Sequence, residues 1–242
     1  MNVPVYIAAL PVLISAIIVA AVFYALNYAY DKLGYTGTQK RNSLGITAIL
    51  LGGWLAVSAW LAISGKFLDF QSTPPKMLAA IIPPILAIAY IANSIRVNRI
   101  LQVLPHSWMI NMQFYRVLME LFLLLMFTSG ALPVQMTFEG RNFDIITGIT
   151  APVVAYFCFT KQAWPKIIAL LWNAAGFLLV ANVFFIGILS LPGPMRIFMN
   201  EPPNTMVAYF PYIWIPALIV PFAFLLHVLS IKQILRYEET QH

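Results

Sequence analysis

Residues 109–125 read MINMQFYRVLMELFLLL, an apolar run of bilayer-crossing length interrupted by Arg116 and Glu120. A charged side chain at the centre of a membrane helix costs about 2.5–3.5 kcal/mol on insertion scales, so such groups face a bundle interior, a partner or a water-filled path. The run therefore predicts an apolar helix with one inward face. Met109, Gln113, Arg116, Glu120 and Phe127 follow steps of three, four or seven and form that face as a single stripe.

Working outward, 61% of the 242 residues are apolar and 9% are charged, against roughly 25% charged in soluble domains. Apolar runs near the roughly 20 residues that span a bilayer lie at 5–27, 44–64, 77–93, 108–128, 145–160, 166–190 and 212–231. The expected fold is an all-α polytopic transmembrane bundle of about seven helices, one domain over 1–242. With the N-terminus outside, Lys32, Lys40, Arg41, Arg96, Arg99, Lys161, Lys166, Lys232 and Arg236 fall on the cytoplasmic side. Only Lys66, Lys76, Arg141 and Arg196 fall outside, and this bias predicts a cytoplasmic C-terminus. The +6 net charge then follows from topology and requires no nucleic acid. The first run lacks a basic n-region and reads as a retained span. Cys158 is the single cysteine, so no disulfide forms within the chain.

The connections carry their own expectations. Residues 28–43 form a basic loop suited to anionic headgroups, and 95–106 suit a short interfacial helix or a cytoplasmic extension of the third span, ended by Pro105. Outer connections fall at 65–76, 129–143 and 191–211, and the last is long enough to fold over an outer vestibule. Ala48, Gly52 and Ala56 make a small-residue stripe for close helix packing. Pro83, Pro84, Pro216 and Pro221 interrupt the third and seventh runs, which makes both plausible cavity walls.

Two constellations could carry chemistry. Arg116 and Glu120 are one turn apart, roughly 6 Å along a helix axis, and read either as a self-compensating pair or as a site. His227 falls at the depth of Arg116, so Gln113, Arg116, Glu120 and His227 form a candidate ligand-binding set or proton relay. Arg116 would attract an anionic or amphipathic ligand, and Glu120 would answer to protons. In ALPVQMTFEGRNFDIITGITAP, residues 131–152, Glu139, Arg141, Asn142 and Asp144 form a candidate outer gate, aided by Gln135 and Thr137. Gly140 permits a tight turn there, and Asp144 is placed to cap the fifth helix. Asn173 and Asn182 lie nine residues apart, on opposite helix faces. The three histidines give no zinc spacing. Met136, Met195, Met199 and Met206 all fall outside and offer soft thioethers that could bind Cu(I), although methionine is commonly a gap-filler. Lys232 is too near a helix end for a retinal Schiff base. No metal or other cofactor is expected.

The segments LPHSWMINMQFYRVLMELFLLL and LPVQMTFEGRNFDIITGITAP together resemble a family of uncharacterised bacterial seven-helix membrane proteins, with a Gln-x-x-Arg-x-x-x-Glu stripe before a Gly-Arg-Asn-x-Asp turn. The resemblance covers about residues 106–156. It implies a multi-pass protein of the bacterial inner membrane, surrounded by lipid, and supplies no activity. The function expected from the residues is small-molecule binding or transport around Arg116 and Glu120. An accessory subunit of a membrane complex is the alternative, and a lipid-modifying enzyme using Glu120 and His227 comes last because no catalytic motif accompanies them. Oligomeric state is left open.

Overall fold

The computed structural model describes residues 4–239. The described chain is helical throughout its ordered elements: α1 (Val5–Lys32), α2 (Gly37–Ile63), α3 (Ile82–Asn93), α4 (Ile95–Val103), α5 (His106–Met112), α6 (Tyr115–Thr128), α7 (Ile145–Ala155), α8 (Lys166–Leu189) and α9 (Val220–Glu239). Six helical stretches, Val5–Lys32, Gly37–Ile63, Lys76–Asn93, His106–Thr128, Lys166–Leu189 and Ile215–Arg236, are long and apolar enough to cross a membrane. The remaining predicted run, Ile145–Thr160, is an apolar helix too short for that class. It measures about 24 Å at roughly 1.5 Å per residue.

Local chemistry explains the helix ends better than hydropathy does. The second predicted run begins at residue 44, but α2 begins at Gly37, because Thr36 and Gln39 form a reciprocal cap. Thr36 Oγ1 accepts from Gln39 N at 3.3 Å, and Gln39 Oε1 accepts from Thr36 N at 3.0 Å. Pro83 and Pro84 start α3 instead of kinking it. A first-turn proline lacks an N–H that would have had no helical partner there, and a separate 3₁₀ turn, Lys76–Ala80, leads in. The predicted interfacial helix is α4, with Ser94 as its cap and Ile100 and Leu101 buried, while Arg96 and Arg99 are exposed.

The fourth predicted run is divided at Gln113–Phe114. The amides of Gln113, Phe114, Arg116 and Val117 bond three residues back, to Ile110, Asn111, Gln113 and Phe114, which tightens the turn between α5 and α6. Met109, Gln113, Arg116 and Glu120 nevertheless remain on one buried side.

α9 is the organising helix. It packs against α8, α5, α3 and α4, while α1 packs on α6 and α7 on α5. Its polar side chains reach backbone carbonyls at neighbouring helix ends: Lys232 Nζ donates to Ala92 O, and Gln233 Nε2 donates to Leu101 O at 2.7 Å and Leu104 O at 2.6 Å. These carbonyls end α3 and α4, where intrahelical donors run out. Before α9 the chain forms a π turn, Ile215–Ile219. Pro221 has no N–H for the carbonyl of Ala217 one turn earlier, and Trp54 Nε1 of α2 donates to that carbonyl at 2.9 Å. Trp214 Nε1 donates in return to Leu55 O at 3.2 Å.

The surface is apolar where a soluble protein is polar. On α2, Ile49 is 75% exposed and Leu50 69%, and the helix buries only Ser58 and Ala62. A Cβ added at Gly45, Gly52 or Gly53 would meet nothing within 4 Å, so the small-residue stripe does no packing within the described chain. Close approach is instead used by Gly148 and Gly176. A Cβ at Gly148 would lie 3.0 Å from Val117 N, and one at Gly176 would lie 2.5 Å from His227 Cε1.

Candidate functional site

The ionic residues of the opening stretch are fully buried, Arg116 at 2% exposure and Glu120 at 2%. They do not pair with one another. Arg116 Nε donates to Asp144 Oδ2 at 2.7 Å, and Arg116 Nη2 forms an ion pair with Asp144 Oδ1. This two-point geometry matches the planar guanidinium to a carboxylate. The reading of Arg116 and Glu120 as a self-compensating pair is thereby corrected: the compensating charge comes from the start of α7.

The capping role predicted for Asp144 is corrected by the same contact. Asp144 occupies the N-cap position of α7 but has helical backbone angles and no capping hydrogen bond from its side chain. A carboxylate buried beside a guanidinium gains more from that charge than from exposed amides.

From Arg116 the polar chain continues in two directions. Arg116 Nη1 lies 2.9 Å from His227 Nε2, and His227 Nδ1 lies 3.0 Å from Asn173 Oδ1. Asn173 Nδ2 donates to Ser230 Oγ at 3.0 Å and to Ala169 O at 2.8 Å. A guanidinium can only donate, so His227 Nε2 accepts and the ring proton sits on Nδ1, where the Asn173 oxygen receives it. In the other direction Asn142 Nδ2 donates to Glu120 Oε1 at 2.5 Å and to Met136 O at 3.0 Å, while Asn142 Oδ1 accepts from Asp144 N at 3.0 Å. Among the described residues no hydrogen bond joins Glu120 to His227. Arg116 and Asp144 stand between them, so the relay weighed for those two residues has no direct link.

The outer-loop set divides. Asn142 and Asp144 are buried in the polar chain, whereas Glu139 and Arg141 are exposed. Arg141 lies over the Phe198 ring, 5.5 Å from its centroid, and its carbonyl accepts from Asn182 Nδ2 at 2.7 Å. Gly140 serves by close approach, since a Cβ there would lie 2.6 Å from Gln135 Cα. Gln113 Nε2 donates to Ala223 O at 3.2 Å, and Tyr115 Oη donates to Ile219 O at 2.8 Å. The first ties the α5–α6 joint to α9, and the second ties it to the π turn that leads into α9.

Beside this chain lies a cavity of about 70 Å³. Arg116, Glu120, Asp144 and Asn204 supply its polar lining, and side chains such as Met119, Val183 and Ile219 make the rest apolar. Its walls come from the predicted third, fourth and seventh runs, with α8 as a fourth wall that sequence reasoning missed. The connections containing Met136, Leu191, Asn204, Met206 and Val207 also contribute to the lining. Glu120 Oε2 and Asn204 Oδ1 are buried and unpartnered among the described residues. Asn204 went unrecognised because an asparagine in a Pro-rich loop gives no periodic signal. Asn173 and Ser230 could have been linked to His227, since Ser230 follows it by three residues on one helix face.

Met136 and Met206 line the cavity together with Met77 and Met119. Met195 and Met199 are exposed elsewhere, so the four methionines weighed for Cu(I) do not converge. Among the described residues no three His, Cys, Asp or Glu gather as a metal site.

The fold and site define an all-α protein with apolar helices of membrane-crossing length and a buried ionic chain beside a cavity. The chain belongs to the family described as Domain of unknown function (DUF8737), which matches residues 74–235. No curated protein and no solved structure shows significant similarity to it. The family match extends well beyond the resemblance at 106–156 and includes every residue named here as lining the cavity.

Proposed function

We propose that this protein binds or transports a small molecule within the membrane, using the cavity beside Arg116 and Glu120. The observation that carries the reading is Glu120 Oε2, a buried acceptor without a partner on the wall of an otherwise apolar cavity. Leaving such an atom unmatched costs about 1–3 kcal/mol, and more when it is charged, so a ligand that matches it recovers that energy. Gln113 and His227 hold the site from behind, while Asn142 and Asp144 bring the outer connection onto it. In this reading Ile145–Thr160 is the seventh membrane segment, the N-terminus faces outward and the C-terminus faces the cytoplasm of a bacterial cell.

Mass spectrometry of the full chain released from nanodiscs tests the reading. A small molecule retained by the wild type and lost from a folded Glu120→Gln variant is the expected result. The same ligand-free spectrum for both would overturn it.

A second reading, an accessory subunit of a membrane complex, is favoured by α2, whose glycines face no neighbour. A protein that co-purifies in fixed ratio and is lost on Gly52→Leu substitution would support it.

A further inference from the structure

We infer that the cavity receives the ammonium head of a membrane-soluble aliphatic amine, held at Glu120 Oε2 and Asn204 Oδ1 while its tail passes into lipid. This rests on the binding reading above and names its ligand class.

Each side-chain donor atom at the cavity already faces a partner within the protein. Tyr115 Oη donates to Ile219 O, Asn204 Nδ2 to Gly187 O at 3.0 Å, and the Arg116 guanidinium to Asp144 and His227. Apart from Arg116 Nη2 and Asp144 Oδ1, which face each other as an ion pair, the buried polar side-chain atoms of the lining without partners are Glu120 Oε2 and Asn204 Oδ1, and both are oxygens suited to accept. A matching ligand must therefore donate. Charge leads to the same class, since Arg116 and Asp144 pair with each other and the Glu120 carboxyl has no countercharge of its own, which an ammonium supplies. An anion would compete with Asp144 for Arg116 and would leave Glu120 Oε2 and Asn204 Oδ1 unmatched. The anionic ligand expected from Arg116 alone is thus disfavoured once Asp144 is counted.

Size and shape make the ligand an amphiphile. A buried water needs about 10–15 Å³ of such space, so about 70 Å³ holds a head group and a few methylenes. Phe184 and Ile188 of α8 and Val220 of α9 are partly exposed members of the lining, and they mark the apolar side where a tail leaves. Met77, Met119, Met136 and Met206 add flexible thioethers that tolerate tails of different shape.

The test uses the full chain in nanodiscs and three dansyl probes sharing one five-carbon tail that ends in a primary amine, an alcohol or a carboxylic acid. Binding is read by fluorescence titration against empty nanodiscs. Saturable amine binding at least tenfold tighter than either analogue, and at least tenfold weaker in Glu120→Gln, is the expected result. Equal or tighter binding of the alcohol or the acid overturns the ammonium assignment, as does an unchanged amine affinity in folded Glu120→Gln. If that variant does not fold, the order of the three probes on the wild type still decides. Absence of saturable binding by all three overturns the binding reading itself.

Discussion

Arg116 was legible as an inward-facing residue because its charge violates an apolar run, but its partner was not legible. A carboxylate at the start of a helix looks locally like a cap, and only tertiary contact reveals the guanidinium beside Asp144. The two roles predict different variants. A cap keeps its oxygen in Asp144→Asn and loses about 1 kcal/mol only in Asp144→Ala. The ion pair instead predicts that Asp144→Asn and Asp144→Ala both lose roughly 3–5 kcal/mol by stranding Arg116, while Arg116→Met with Asp144→Leu recovers most of the loss. Unfolding midpoints of the four proteins in one detergent check this, and a nearly neutral Asp144→Asn would restore the cap. His227 carries a second prediction. Nitrogen NMR of the ¹⁵N-labelled imidazole should find the proton on Nδ1 and a bare Nε2, since Arg116 occupies the latter. Arg116→Met should weaken that preference, and adding Asn173→Leu should remove it.

Among the elements, the stripe on the fourth run was predictable from spacing, yet the tightened turn at Gln113–Phe114 was not. No proline or glycine marks it, and its cause is distant: Gln113 reaches the Ala223 carbonyl of α9. The prolines behaved differently from one another for a positional reason. Pro83 and Pro84 begin α3, whereas Pro221 frees a carbonyl that α2 answers through Trp54. Glycines divide in the same manner, and sequence alone ranks the wrong ones. Gly148→Ala and Gly176→Ala should each destabilise by about 1–3 kcal/mol, because the new methyl meets Val117 backbone or the His227 ring in a packed interior. Gly52→Ala, in open space on α2, should stabilise by roughly 0.5–1 kcal/mol. Thermal unfolding of the three variants gives the signs directly, and a destabilising Gly52→Ala would reveal a neighbour that α2 meets outside this chain.

For the whole molecule, hydropathy located six helices of membrane-crossing length and the shorter Ile145–Thr160, and charge bias adds an orientation. That proposed orientation makes a labelling prediction in a Cys158→Ala background. Cysteine at exposed Glu201 should react with an impermeant maleimide in intact cells, and cysteine at exposed Thr38 should react only after lysis. The reverse pattern inverts the topology. The family match begins at residue 74, so α1 and α2 stand outside it, joined to the rest partly through the exchange of indole bonds between Trp54 and Trp214. Those bonds span 163 and 159 positions of sequence, and this separation has a consequence in time. At a synthesis rate of about 5–20 residues per second, Trp54 emerges roughly ten to thirty seconds before its acceptor carbonyl exists. The first hairpin is therefore complete before this joint can form, and the two halves of the exchange close only as the π turn that leads into α9 is delivered.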